Sequence, residues 1–416
     1  MRAVLFWSFL LALLLSGCTE RKRRNPLDPL ALQSLEGMLR ELEALAGDGE
    51  VVLTWNYTYF DDIAGLHLYR RVGDGPFGRH PAELLSPEIR EFVDREVENG
   101  TTYEYRLGLV IDGEGEQLLE DSALSTPGRE VAWVADRQAG IVWKIGADGR
   151  RAHFGQGRFP SLEGMALDLK DGSCWVTDRF FSGVYRISPD GELELHRADI
   201  ARGGNLAIDV EGRRAWVVDA ERQEVRWFAL PAQGDSLNLG KIDAIFATPG
   251  GLVPQEGGCW IADVEAGRVL YSHPDGERVE FRGLDRPASL ASARGGGVWA
   301  LVEGGQTLMR LDRDGGEMAI ALPFADGQGM VEDSRTGQVW VLGASELAIV
   351  GAGGDLQGRW DGLEEGVGLD IDEVQEKLWI ATRGFLWKFT LSGQTLARLG
   401  GFSGLLKVAV DPGEGG

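Results

Sequence analysis

The sequence predicts an all-β protein whose larger part is built from repeated small sheets. Seven tryptophans recur at intervals of about 40 residues, at Trp133, Trp175, Trp216, Trp260, Trp299, Trp340 and Trp379. Each lies in a short apolar phrase, and glycine-rich turns separate these phrases. A period near 40 with several short strands in each period is typical of a β-propeller.

One complete repeat, Met165–Arg197, predicts four strands. Residues 165–169, 174–178, 183–188 and 192–197 are strand-like, and turns containing Asp-Gly interrupt them at 170–173 and 189–191. Short strands joined by such turns form an antiparallel meander. We therefore expect each blade of the propeller to be a four-stranded sheet.

The residue before each tryptophan predicts where the repeat packs. It is always apolar and never larger than leucine, as in Ala132, Cys174, Ala215, Cys259, Val298, Val339 and Leu378. This pattern predicts one buried position in each blade, between neighbouring sheets, with the tryptophan in the next layer. Truncating such a buried tryptophan would cost about 3–5 kcal/mol.

A second repeated phrase leads into the tryptophan strand. It reads GMALD (164–168), NLAID (205–209), GMVED (329–333) and GVGLD (366–370). Its last copy, KVAVD (407–411), has no tryptophan after it, and Trp133 has no such phrase before it. We therefore expect the C-terminal strand to complete the first blade. That closure gives a seven-bladed ring over 129–416 and removes open sheet edges.

These repeats resemble NHL-type propellers, in which an apolar "G-IAVD" strand precedes "VYVAD". GMALD with CWVTD, and NLAID with AWVVD, carry the resemblance. The resemblance implies the fold and leaves the function open, because propellers host many activities.

Residues 42–128 predict a separate small β-sandwich before the propeller. The segments 42–56 and 92–116 resemble the early and late strands of a fibronectin type III domain. That resemblance implies that Trp55 lies in the core. It also implies a tyrosine corner at Tyr103 and Tyr105.

The N-terminus predicts export and a lipid anchor. The apolar run Val4–Leu15 is short for a membrane span and suits a signal peptide. Leu15-Ser16-Gly17-Cys18 follows it and resembles a bacterial lipobox. The resemblance implies a signal peptide at 1–17, lipid on Cys18 and a tether at 18–41. The chain would then lie in the cell envelope, on the outer membrane if the cell is Gram-negative. An ordinary secretory signal with an incidental cysteine is the alternative.

Charge and cysteine content exclude some classes of function. The 65 acidic and 42 basic residues give a net charge of −23, which disfavours nucleic-acid binding. Cys174 and Cys259 occupy the same repeat position two blades apart. That separation exceeds disulfide reach and predicts two buried free thiols. No histidine directly precedes an innermost strand, so a histidine-based metal site is not expected.

Candidate ligand-binding residues lie where loops enter the innermost strands, namely Glu163, Asn205, Gln328 and Glu365. Glu163-Gly164 and Asn205 resemble the ion ligands of gluconolactonase-type propellers, a likeness that implies a calcium-like ion held through oxygen. That family is six-bladed, however, and its Glu-Gly-Pro triplet is Glu163-Gly164-Met165 here. The sequence prediction is therefore no metal and no cofactor, with a calcium-like ion as the alternative.

Three functions remain compatible with the sequence. The favoured hypothesis is a lipid-anchored envelope protein, not an enzyme, whose propeller binds a protein, peptide or glycan. No GxSxG motif or phosphate-binding glycine loop is present. The alternative is a metal-assisted lactonase or lyase that acts at the tunnel entrance through the four residues above. A purely structural envelope component is the third.

Overall fold

The computed structural model describes residues 39–57, 63–113, 115–197, 199–230 and 239–413. Cys18, the apolar run and residues 18–38 of the tether lie outside these ranges, so the predicted signal and anchor stay predictions. Within the described ranges, no helix is long and apolar enough to cross a membrane. The chain folds as two compact units, which are described separately below.

Seven antiparallel strands precede the repeats, and they form two sheets with the orders β1-β2-β5 and β4-β3-β6-β7. Their bounds are β1 Leu39–Gly47, β2 Glu50–Tyr57, β3 Ile63–Val72, β4 Gly78–Arg79, β5 Glu91–Asp94, β6 Tyr103–Ile111 and β7 Gly115–Ser125. Trp55 is buried, as expected, and Tyr103 and Tyr105 are buried as well. The tyrosine corner stays a prediction. Assignment of this region to the fibronectin type III family stays a prediction.

The repeats form the remaining strands. In the first half of the repeat region these are β8 Val131–Asp136, β9 Ile141–Gly146, β10 Arg151–Phe154, β11 Leu162–Asp168, β12 Ser173–Asp178, β13 Val184–Ile187, β14 Leu193–Arg197, β15 Gly203–Asp209, β16 Arg214–Asp219, β17 Glu224–Ala229, β18 Gly240–Lys241, β19 Pro249–Gln255, β20 Gly258–Asp263, β21 Arg268–Ser272 and β22 Arg278–Arg282. In the second half they are β23 Ser289–Ala293, β24 Gly297–Val302, β25 Thr307–Leu311, β26 Glu317–Ala321, β27 Gly329–Glu332, β28 Val339–Leu342, β29 Glu346–Val350, β30 Leu356–Asp361, β31 Gly366–Asp372, β32 Lys377–Thr382, β33 Leu386–Thr390, β34 Thr395–Leu399 and β35 Leu405–Asp411.

These strands pair into consecutive four-stranded antiparallel sheets, the architecture of a β-propeller. Blade one is β10-β9-β8-β35; blades two to seven are β11–β14, β15–β18, β19–β22, β23–β26, β27–β30 and β31–β34. The C-terminal strand β35 pairs with β8, Ala409 lying opposite Trp133, as the phrase KVAVD predicted. The innermost strands β11, β15, β19, β23, β27, β31 and β35 each contact the next.

The core lies between the blades. All seven repeat tryptophans are at most 1% exposed, and the seven residues before them are fully buried. Each tryptophan packs against the next blade; Trp175, for example, contacts the cluster that contains Leu206, Ala215 and Val217. The prediction of a small buried position beside a tryptophan layer is confirmed. Cys174 and Cys259 are buried free thiols, also as predicted.

In blades one to four, an aspartate ends the tryptophan strand and orders the loops at that end of the blade. Asp136 accepts the N–H groups of Ala139, Ser403 and Gly404. Asp263 accepts those of Ala247 and Thr248. The carboxylate thereby fixes the loops at this end of the blade.

The sequence prediction aligned the innermost strand of blade seven two residues away from its true register, and this prediction was wrong. Asp370 was equated with Asp168, but Asp168 pairs with Ser173 whereas Asp370 pairs with Trp379. The structural counterpart of Asp168 in blade seven is Asp372, which pairs with Lys377. Both GVGLD (366–370) and GLDID (368–372) fit the repeated phrase, and only the strand pairing shows that GLDID is the equivalent segment. This shift changes which residues of blade seven face the centre of the ring.

Candidate functional site

A cavity of about 310 Å³ lies at the centre of the propeller, where the innermost strands begin. We call it the tunnel cavity, because residues of all seven innermost strands line it. Its polar lining side chains are those of Glu163, Asn205, Ser289, Gln328 and Lys407. The volume is at the low end of the range for small-molecule sites.

Two positions recur on each innermost strand, and six of the seven residues at the second position line this cavity. The first is the residue opposite the tryptophan, which is Ala166, Ala207, Val253, Ala291, Val331, Asp370 and Ala409 in blade order two to seven and then one. The second lies two residues earlier and is Gly164, Asn205, Gly251, Ser289, Gly329, Gly368 and Lys407. Both positions favour small residues, because innermost strands of neighbouring blades approach closely. A Cβ at Gly164, for example, would lie 2.6 Å from the carbonyl oxygen of Gly204 in the next blade.

Lys407 is the charged exception at the second position. Its side chain forms no hydrogen bond or ion pair with the described residues, and it borders the tunnel cavity. Burial lowers the pKa of its ammonium group below the ordinary lysine value, while Asp370 and Cys174 act in the opposite direction. A cavity-facing amine with a lowered pKa is suited to proton transfer.

Asp370 is the charged exception at the first position, one blade away. Its carboxylate accepts the backbone N–H of Ile371 at 2.9 Å and that of Val410 at 2.8 Å. Burial raises its pKa to about 6, against the effects of these two hydrogen bonds and of Lys407. Asp370 is not among the residues that line the tunnel cavity. Its role toward the cavity is therefore electrostatic, through Lys407.

Three of the four predicted ligand residues lie together in the tunnel cavity. Glu163 pairs with Arg137 at 2.7 Å and lies 3.8 Å from Arg179. The amide nitrogen of Asn205 donates to the Gly250 carbonyl at 3.1 Å. That of Gln328 donates to the Asp326 carbonyl at 2.9 Å. Each amide keeps a second N–H for a ligand.

The fourth predicted residue, Glu365, does not line the tunnel cavity. Its side chain is 61% exposed and pairs with Arg383 at 3.3 Å. The two-residue shift of blade seven explains this placement, because Val367 occupies the position expected for Glu365. The expected ring of four polar residues is therefore incomplete, and blade seven contributes an apolar side chain instead.

Among the described residues, no three His, Cys, Asp or Glu side chains are grouped as metal ligands. Glu163, the carboxylate that lines the cavity, is paired with arginine. His153 and His196 lie on the outermost strands β10 and β14, as expected, and His273 follows β21. Lys407 and the amides of Asn205 and Gln328 keep N–H groups that can donate to a ligand.

Sequence reasoning missed Lys407 and Asp370. Lys407 is the first residue of the phrase KVAVD, where other blades have glycine, asparagine or serine. A charged residue at a position of small residues was a signal that the alignment of KVAVD already offered. Asp370, by contrast, required the correct alignment of blade seven. The same alignment would have placed Asp370 opposite Trp379.

Comparison with known proteins supports the propeller fold. No known protein-family model matches the chain. A virginiamycin B lyase from Nocardia farcinica is 27% identical over 164 residues, which cover 39% of this chain. The chain spans about half the length of this curated relative, since the match covers 55% of it.

Solved structures show the same fold at low sequence identity. A streptogramin B lyase superposes with a TM-score of 0.51 at 12% identity, over 58% of this chain and 83% of the other. A proposed 6-phosphogluconolactonase from Bacteroides uniformis gives a TM-score of 0.53 at 16% identity, over 68% of this chain and 99% of the other. A functionally unknown protein from Desulfotomaculum acetoxidans gives 0.53 at 15% identity, over 67% and 98%. These similarities establish a β-propeller.

Proposed function

We propose that this chain is a β-propeller enzyme that opens a lactone or related cyclic ester in the tunnel cavity, with Lys407 as the catalytic base. One observation carries the proposal. Lys407 and Asp370 are charged, whereas the other blades have small or uncharged residues at these two positions of the innermost strand. Where a repeat departs from its own packing rule, function is the usual reason. Both departures lie on adjacent innermost strands.

The electrostatics of this pair suit acid–base chemistry. Lys407 has a lowered pKa and no partner among the described residues, so more of it is neutral near pH 7 than of an ordinary lysine. Asp370 has a raised pKa of about 6. Groups whose environments displace their pKa values in this way are concentrated at catalytic sites.

The proposed reaction is hydrolysis with water as co-reactant. The neutral amine of Lys407 takes a proton from a water molecule as its oxygen attacks the ester carbonyl. The bond between the carbonyl carbon and the ring oxygen then breaks, and the ammonium group returns the proton to that oxygen. The free N–H groups of Asn205 and Gln328 are the candidate donors to the carbonyl oxygen. The product is an open-chain hydroxy acid.

The comparisons support this class over a passive scaffold. A lyase and a proposed lactonase are among the proteins of similar fold, and the curated relative is also a lyase. The cavity volume favours a small lactone ring, which would enter whole. A larger macrocycle would enter only in part.

The second candidate is a lipid-anchored envelope protein that binds without turnover. The observation in its favour is the Leu15-Ser16-Gly17-Cys18 motif after an apolar run. We propose this anchor for both candidates, together with a fibronectin type III-like domain and a closed, seven-bladed NHL-like ring. In the second candidate the propeller holds a protein, peptide or glycan, and Lys407 pairs with its carboxylate.

A lactone-opening assay tests the first candidate. The full-length chain, purified in detergent, is given a panel of small lactones that includes 6-phosphogluconolactone, with calcium or EDTA, and acid release is followed. We expect turnover by the wild type and by Lys170→Met, an exposed control. Lys407→Met should lose about 10²–10⁴-fold in kcat, the usual contribution of a general base. Equal turnover by Lys407→Met, or none by the wild type with either addition, would contradict the proposal.

A further inference from the structure

We propose that the substrate carries an aromatic substituent that extends out of the tunnel cavity onto Phe180 and Phe181. This inference rests on the proposed function and names the substrate more closely. The two rings are 73% and 46% exposed. They lie edge to face, with centroids 5.2 Å apart and an interplanar angle of 85°. We call them the phenylalanine pair.

The phenylalanine pair is joined to the wall of the tunnel cavity. It follows Arg179, whose guanidinium lies 3.8 Å from the carboxylate of the cavity residue Glu163. The buried Asp178 carboxylate accepts the N–H groups of Phe180 at 2.8 Å and Phe181 at 2.7 Å. Its other oxygen accepts the N–H of Ser161, one residue before β11. One carboxylate therefore fixes both the pair and the strand that carries Glu163.

The loop itself does not require aromatic residues. The positions two and three residues after the equivalent aspartates hold Gln138 and Ala139 in blade one, and Glu265 and Ala266 in blade four. Asp136 orders its loop in the same way with small or polar residues there. Exposed aromatic rings gain little for folding, whereas aromatic side chains are enriched in recognition surfaces. The pair is therefore best explained by a ligand.

A substrate substituent is the occupant that fits this position. In this proposal the tunnel cavity holds a small ring. The start of β11 lies beside the end of β12, since Leu162 pairs with Asp178, so a larger substituent that leaves the cavity at this end would reach the phenylalanine pair. An aromatic ring would add an edge-to-face or stacked contact with the pair, in addition to the apolar area that it buries. Together with the buried area, we expect about a tenfold gain in affinity.

Binding of two matched lactams tests this inference without depending on turnover. One five-membered lactam carries a phenylacetamido group and the other an acetamido group, and neither contains the ester to be opened. Calorimetry on the full-length wild type should show about tenfold tighter binding of the phenylacetamido compound. Phe180→Ser/Phe181→Ser should bind both equally.

Val374→Ser is the matched control. Val374 is 62% exposed and also lies two residues after an aspartate, Asp372, that accepts its N–H at 3.0 Å, in the loop between β31 and β32. This variant should keep the tenfold preference. Equal binding by the wild type, no binding of either lactam, or a preference that survives the double substitution would overturn the inference. A preference without any opening of the corresponding lactones would instead overturn the proposed function alone.

Discussion

The Arg213 guanidinium of blade three makes a two-pronged hydrogen bond to the Asp168 carboxylate of blade two, at 2.6 and 2.8 Å. Asp168 is only 1% exposed, whereas the Arg213 side chain is 22% exposed. Such a pair fixes both distance and orientation between two groups. It joins the end of one innermost strand to the turn that follows the next.

Loss of this clamp should destabilise the propeller. Arg213→Ala leaves a nearly buried carboxylate without its cation, and we expect the free energy of unfolding to fall by about 1.5–3 kcal/mol. Urea unfolding at pH 7 measures it. Lys170→Ala, an exposed change in the turn beside Asp168, should alter the free energy of unfolding by less than about 0.5 kcal/mol. Equal effects of the two variants would show that the clamp contributes nothing.

A buried charge cluster in blade seven should be more sensitive. The Glu130 carboxylate lies 2.7 Å from the Lys377 ammonium and 3.1 Å from that of Lys388, and none of the three is more than 2% exposed. Glu130→Gln removes the carboxylate that contacts both buried ammonium groups. We expect a loss of about 3–5 kcal/mol in unfolding free energy at pH 7. The exposed control Glu211→Gln should be close to neutral.

The pH dependence of this cluster has a definite sign. Burial lowers the pKa of Lys377 to about 8, below the 10.5 of an unperturbed lysine. Between these values the unfolded chain binds more protons than the native chain, so this group makes stability rise with pH. The deficit of Glu130→Gln should therefore be smaller at pH 9.5 than at pH 7. A deficit that grows with pH would contradict this assignment.

Replacement of the buried Asp370 by alanine should not destabilise the folded chain at pH 7. Burial raises the folded pKa of Asp370 to about 6 from 3.8, so the native chain binds more protons between these values. Asp370 therefore makes stability fall as pH rises from about 4 to 6. Other blades have alanine at this position, so Asp370→Ala should be as stable as the wild type at pH 7, or more stable. The difference in thermal stability between the two should vanish near pH 4. Thermal scans over pH, with exposed Asp190→Ala as control, check this; a variant clearly less stable at pH 7 would contradict it.

The tryptophan repeat predicted the fold well because packing between blades dictates it. The burial of Ala132 before Trp133 and of Cys174 before Trp175 was predictable, since the residue before each repeat tryptophan is always apolar. The pairing of β35 with β8 was also readable, because the unmatched phrases at the two ends of the repeat complete each other.

The site was less predictable. GVGLD resembles the repeat as well as GLDID does, so Glu365 was expected at the cavity and Asp370 was overlooked. Partners such as Arg137 for Glu163 come from different blades, and repeat periodicity does not encode such contacts. Lys407 stood inside a recognised phrase, yet its position facing the cavity depends on strand register.

The most direct test of the central claim is the pKa of Lys407 in the native chain. Acetylation by a small anhydride, quantified at Lys407 by mass spectrometry over a range of pH, reports the neutral fraction of the amine. We expect a lower pKa in the folded chain than in the same chain unfolded in urea, and a still lower one in Asp370→Ala, because the carboxylate stabilises the ammonium form. A folded value equal to or above the unfolded value would contradict the assignment of Lys407 as the base.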